Sequence, residues 1–268
     1  MDDYYKAKQL FLSNDLGNSR HFNSLAFEYS KNELIKSIKD KEHPIIFLLG
    51  DPGCGKSYLL RYIEEYQKDI QIAKYFTYPF FDEKEFLEIL LSLAGPNIKR
   101  GEYNIEKILF YLKREFGELE YLIIIDEAQH LTEELVELIR ILSDQKVFQF
   151  VLAMHKKEGE FILNKPQYKT RNFKKIVVEY LNNDEVLRYI QETLIENNLS
   201  KLASEFKGSY VKEIRNRTNR NFRAIKKLLT TLFEIIIEAN KRKLEKFNKI
   251  NSHTITMSAI DTGMINVE

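Results

Sequence analysis

The chain has 268 residues, 44% hydrophobic and 30% charged, enough for one large domain or for a domain with a smaller companion. Its longest apolar runs, IIFLL before Gly50 and YLIII before Asp126, hold five residues each, far short of the roughly 20 that cross a bilayer, so no transmembrane helix is expected. A lone Cys54 excludes an intrachain disulfide, and the acidic opening MDDYYKAKQLF lacks the order of a secretory signal, which points to a cytoplasmic protein.

A formal charge of +1 hides an asymmetry: residues 166 to 250 carry 19 Lys/Arg against 10 Asp/Glu, which leaves the rest of the chain net acidic. A basic C-terminal part can face phosphates, DNA, an anionic membrane or an acidic neighbouring subunit; lysines scattered over solvated helix faces are the plainer reading.

In chain order, Ser30-Lys31-Asn32-Glu33 has the form of a capping box opening a helix that ends before His43-Pro44. PIIFLL reads as a buried strand, and a helix over about 56–66 follows it. IQIAKYFTY is the next strand. Asp82-Glu83-Lys84-Glu85 caps a helix running to Gly95-Pro96, and NIEKILFYLKREFG has apolar residues at helical spacing. YLIII is another buried strand, Thr132 opens the helix TEELVELIRILSD, and VFQFVLA and KKIVVEYL complete a set of five strands. Beyond Leu181 only helical patterns remain: NNDEVLRYIQETLIENN, GSYVKEIRNRT, NFRAIKKLLTTLFEIIIEANKRK and a short helix within the last segment. Alternation of strands and helices predicts an α/β fold with a five-stranded parallel sheet flanked by helices. An α/β domain is expected over 1–181, with 1–43 as its N-terminal segment, and a helical domain over 182–268.

LLGDPGCGKS places Gly50, Asp51, Pro52, Gly53, Cys54, Gly55, Lys56 and Ser57 between a predicted buried strand and a predicted helix, which satisfies the Walker A pattern GxxxxGKS in its proper context. Glycines let backbone N–H groups curl around anionic oxygens, and the helix start adds a partial positive charge. Lys56 is placed to reach the β- and γ-phosphates of ATP, Ser57 to offer its hydroxyl to Mg2+, and Tyr58 follows at the helix start. YLIIIDEAQHL then sets Asp126 and Glu127 at the end of a predicted central strand, a Walker B arrangement: Asp126 for Mg2+ and Glu127 for the attacking water. Cys54 lies inside the cradle, where the same N–H groups are expected to favour its thiolate.

Through GDPGCGKS and IIIDEAQHL the chain resembles the AAA+ ATPases, and the wording DEAQH together with SKNELIKSIKDKEHPIIFLLGDPGCGKSYLL resembles the ExeA/GspA-like branch of secretion, pilus and transposition-related ATPases. The resemblance runs from about residue 22 to 264. It implies a P-loop NTPase core, a helical lid, and oligomers in which one subunit completes its neighbour's site. It also implies roles for further residues. His155, after VFQFVLAM, stands where a polar residue senses the γ-phosphate, with a polar strand cap as the alternative. Arg171 in KTRNFKKIVVEYL is the candidate arginine finger, with Lys169, Lys174 and Lys175 as rivals. Arg223 in TNRNFRAIKKLL is the candidate lid arginine contacting nucleotide, with Arg220 as its rival. Phe27, Tyr29 and Ile35 are candidates for the adenine pocket or for simple core packing. The implied activity is ATP hydrolysis driving assembly of a membrane-linked secretion, pilus or DNA-uptake apparatus through a membrane-anchored partner protein. A DNA-associated ATPase bound to the DNA backbone, and a nucleotide-switched scaffold with negligible turnover, are the alternatives.

Overall fold

Five buried residues, Ile45–Leu49, form β1, and β4 (Gln149–Met154) is buried along its whole length as well. Strands covered on both faces read as unbroken apolar runs, which is why both were visible in the sequence. In the computed structural model, which describes residues 2–12, 22, 24–79, 82–93, 105–116, 119–164 and 172–265, they join β2 (Ile72–Phe76), β3 (Leu122–Ile125) and β5 (Phe173–Val177) in one sheet of order β2-β3-β4-β1-β5. Every pairing is parallel. The helices among these strands are α3 (Lys56–Tyr66), α4 (Glu83–Leu93), α5 (Ile105–Phe116), α6 (Glu133–Asp144) and α7 (Lys156–Leu163). Inward residues of the strands, Phe47, Leu49, Ile123, Ile125, Phe150 and Leu152, share a core with Leu135, Leu138, Ile139 and Leu142 of α6. Thr132 caps α6 as expected, accepting from the Leu135 N–H at 3.3 Å, and Asp82 caps α4 through the Glu85 N–H at 2.8 Å. Gly95 and Pro96, the expected terminators of α4, lie outside the described residues.

The remaining helices are α1 (Asp2–Leu12), α2 (Leu25–Asp40), α8 (Asn183–Glu196), α9 (Ser200–Ala203), α10 (Gly208–Thr218), α11 (Phe222–Lys241) and α12 (Ser252–Asp261). Two compact units result: residues 29–178, and residues 1–28 together with 179–268. The first residues therefore group with the helical unit, not with the α/β unit as a division at 181 supposed. Their reason is apolar: Ala7 and Phe11 of α1 are fully buried, and the Phe11 ring lies 6.0 Å from those of both Phe233 and Tyr189.

α2 begins before the expected capping box. Ser24 is its cap, accepting from the Phe27 N–H at 3.0 Å, while Ser30, inside the helix, donates its hydroxyl to the Val177 carbonyl at 3.1 Å. A capping box does open α8. Asn182 accepts from the Asp184 and Glu185 N–H groups, and Glu185 returns a carboxylate oxygen to the Asn182 N–H at 2.7 Å. The other oxygen of Glu185 accepts from the Leu25 N–H at 2.6 Å, in a setting where Glu185 is only 2% exposed. Glu185→Ala would strand two donors, each costing about 1–3 kcal/mol. Urea unfolding of this variant is expected to show the helical unit destabilised by about 2 kcal/mol or more, with Glu185→Gln losing roughly half as much.

Candidate functional site

The phosphate loop leaves the C-terminal end of β1, where an open parallel sheet presents its ligand crevice. Gly53 (φ 80°) and Gly55 (φ 109°) take left-handed backbone angles that side-chain-bearing residues rarely adopt, and Gly55 is the N-cap of α3. Gly50 is required for a different reason: a methyl there would lie 2.4 Å from Cys54 Sγ and 2.8 Å from the Val178 carbonyl oxygen. Asp51, Gly53, Ser57 and Tyr58 are half-buried along the curl and Pro52 is exposed. Lys56 is 7% exposed, and its Nζ donates to the carbonyls of Gly50 at 2.8 Å and Asp51 at 3.3 Å. The loop thus satisfies its own buried cation.

The sheet order leaves only β4 between β1 and β3, so the loop and the acidic pair share one edge of the sheet. Asp126 is 5% exposed and continues the β3 ladder through its N–H to the Phe76 carbonyl at 2.8 Å, with Ser57 near its carboxyl. Burial chiefly pushes its carboxyl above the ordinary carboxylate range, against the pull of Ser57, the Glu127 N–H and Lys56. Beside it on β2, the Tyr75 phenol is pushed up by burial and then by the Asp126 charge. Among the described residues no group of three or more His, Cys, Asp or Glu side chains is placed to hold a metal. Ser57 and Asp126 supply two hard oxygens, and that suits Mg2+, an ion that keeps waters and substrate phosphates in its shell.

An ionised Asp126 at this depth costs stability even with Lys56 nearby. Its folded pKa is raised, so the stability it contributes is present below its unfolded value and is lost as pH rises through the folded one. Asp126→Asn removes that cost at neutral pH. Thermal denaturation is expected to show the ligand-free variant melting a few degrees above wild type, about 2–4 °C for each 1 kcal/mol relieved. Added thermal protection by Mg-ATP is expected for wild type and not for the variant.

Glu127 takes φ 52° and opens a short 3-10 helix, Ala128–His130. Its N–H donates to Asp126 Oδ1 at 2.9 Å, and its carboxylate accepts from the Gln129 amide. His155, the N-cap of α7, sits beyond the end of β4 with its ring Nε2 3.8 Å from Glu127 Oε2. Three sequence candidates, Asp126, Glu127 and His155, are thereby brought together, and Gln129, which the sequence does not single out, joins them. Only its chain position two residues after Glu127 could have flagged it.

The expectation of a favoured Cys54 thiolate is overturned. Cys54 is 2% exposed, and desolvation pushes its thiol up despite Lys56 and the nearby N–H groups, so it serves as loop packing. Arg171 and its rival Lys169 lie outside the described residues. The other rivals have partners within the α/β unit, Lys174 with Glu33 at 2.9 Å and Lys175 with Glu160 at 3.2 Å. In the helical unit Arg223 is exposed near the start of α11, whereas Arg220 lines a cleft of about 520 Å³ with Tyr180, Asn183, Arg215, Asn216 and Asn219. On α2, Phe27 is buried and Tyr29 is 68% exposed, so the two do not form one apolar face; Ile35 is half-buried.

Residues 39–163 match the family model of an AAA domain. Among solved structures, the Walker-type ATPase of Pyrococcus abyssi is 17% identical, over 88% of this chain and 75% of that one, with a TM-score of 0.58. The Drosophila ORC bound to DNA is 11% identical over 96% and 65%, with a TM-score of 0.59. The ORC2 protein of Aeropyrum pernix, in ADPNP-ADP complexes, is 12% identical over 97% and 72%, with a TM-score of 0.55. No curated protein matches in sequence. At such identities the likeness concerns the fold. Loop, sheet order and these matches agree on the fold: a five-stranded parallel sheet flanked by helices with a phosphate loop after β1, similar to an AAA domain over residues 39–163 and to solved P-loop ATPases.

Proposed function

We propose that the chain binds Mg-ATP in the phosphate loop, hydrolyses it, and uses the cycle to join and release subunits of an oligomer. The observation that carries this reading is the convergence of Lys56, Ser57, Asp126 and Glu127 at one end of the sheet, with the buried Asp126 carboxyl near Ser57 and Lys56. Lys56 would trade the Gly50 and Asp51 carbonyls for phosphate oxygens, and Ser57 with Asp126 would hold Mg2+, which neutralises charge on the transferred phosphoryl group. Glu127 would orient and deprotonate the attacking water. Arg171 remains the proposed finger completing a neighbour's site, His155 the proposed sensor beside Glu127, and Arg223 the proposed lid contact. Light scattering with and without ADPNP tests assembly. Growth in mass with the analogue supports the proposal, and a constant mass with nucleotide bound removes the oligomer from it.

The apparatus served is read from the resemblance to the ExeA/GspA-like branch: secretion, pilus or DNA-uptake assembly at the inner face of a membrane. Attachment through a membrane-anchored partner protein is part of this proposal; no helix among the described residues is long and apolar enough to cross a membrane. A second reading, ATP-dependent binding to the DNA backbone, is favoured by the basic segment 166–250 and by a structural neighbour solved on DNA. Contacts to phosphates alone would weaken steeply with salt. Titration with duplex DNA at low and raised salt separates the readings: absence of ATP-dependent binding at low salt removes the DNA one.

A further inference from the structure

We infer that Gln129 is a positioning residue for Glu127, fixing its carboxylate through a hydrogen-bonded bridge that begins in the phosphate loop. The inference rests on the reading of Glu127 as the group that activates water. The short 3-10 turn after Glu127 carries Gln129 to a point from which its side-chain amide reaches two strand ends at once. Its Nε2 donates to Glu127 Oε2, at the end of β3. Its Oε1 accepts from the His155 N–H at 3.3 Å, at the end of β4.

The other end of that same peptide unit is engaged too. The Met154 carbonyl accepts from the Gly50 N–H, at the first glycine of the phosphate loop, at 3.3 Å. One peptide plane, Met154–His155, thus stands between the loop that grips phosphate and the amide that holds the base. Hydrogen bonds in series polarise one another, and a displacement of Gly50 on filling the loop is passed to Gln129 through a rigid planar group. An amide side chain carries a neutral donor and a separate acceptor atom on one carbon, which a hydroxyl or a carboxylate does not, and asparagine is a methylene shorter. The benefit lies in orientation. The Glu127 side chain is 31% exposed, and unheld it would sample rotamers that point away from the reacting water. Its main chain is already anchored, because its N–H donates to Asp126 at 2.9 Å. Gln129 fixes the remaining freedom, that of the carboxylate itself.

Two substitutions in the full chain test this. Gln129→Leu removes both halves of the bridge. Gln129→Glu keeps the length and the acceptor for the His155 N–H but presents Glu127 with a like charge in place of a donor. Nucleotide affinity, single-turnover hydrolysis of Mg-ATP, kcat and KM are measured for both, beside wild type and Glu127→Gln. Expected is a fall of tenfold or more in the single-turnover rate and kcat for both variants, with the dissociation constant for ATP within twofold of wild type. Rates within twofold of wild type would overturn the inference, and so would a loss of ATP affinity that parallels the loss of rate, the mark of a merely structural prop. The underlying reading fails separately: Glu127→Gln would then hydrolyse as fast as wild type, or wild type would not turn over at all, and the inference would fall with it.

Discussion

Lys56→Ala is expected to lower the affinity for Mg-ATP by about a hundredfold or more, equivalent to about 2.7 kcal/mol. The ammonium is buried, and its present partners are two loop carbonyls, at 2.8 and 3.3 Å, that a phosphate oxygen would replace. A charge-assisted bond from a desolvated cation to phosphate is among the strongest contacts such a site offers. Alanine also leaves the Gly50 and Asp51 carbonyls without that donor, so the loop loses the side chain that holds its curl. Titration with a fluorescent ATP analogue measures the effect. An unchanged dissociation constant would show that phosphate is gripped elsewhere.

Glu127→Gln is expected to slow hydrolysis by about a hundredfold or more, the range in which a positioned general base contributes, while ATP remains bound. The amide keeps the size and the hydrogen-bonding shape of the carboxylate but cannot take a proton from water. Binding is expected to rest on the phosphate loop and on Asp126, and so to be independent of the Glu127 side chain. Release of inorganic phosphate, followed in material that has assembled, reads the rate directly. Equal rates for variant and wild type would remove Glu127 from catalysis and favour a nucleotide-switched scaffold.

The parts of the site legible in the sequence are those whose physics is local. A phosphate loop declares itself because its glycines, its lysine and its hydroxyl must follow a strand within a few residues, and the α/β core does so because strands covered on both faces are runs such as IIFLL and LIII. Long-range pairing is what stayed hidden. α1 has a weak apolar face, Ala7 and Phe11, whose partners Tyr189 and Phe233 come some 180 residues or more later, so nothing nearby assigned it to the helical unit. Ser30 has the spacing of a cap yet bonds Val177, while Ser24 does the capping. The double role of Glu185 was half visible: Asn182 at the matching spacing announces the capping box, but the Leu25 N–H comes from the far end of the chain. For Cys54 the sequence shows proximity to N–H groups but not the depth of burial that decides its thiol. The bridge through Gln129 needs the ends of β3 and β4 side by side, and only the sheet order β2-β3-β4-β1-β5 supplies that.

The central claim is that one loop and two acids at the edge of this sheet form a magnesium-dependent triphosphate site. Calorimetric titration of the folded wild-type chain with ATP, with and without Mg2+, tests it most directly. Saturable heat at one site per chain, strengthened by Mg2+ in wild type and indifferent to Mg2+ in Asp126→Asn, is the result predicted. No heat of association at several temperatures, or binding that Mg2+ and Asp126→Asn leave unchanged, would contradict it.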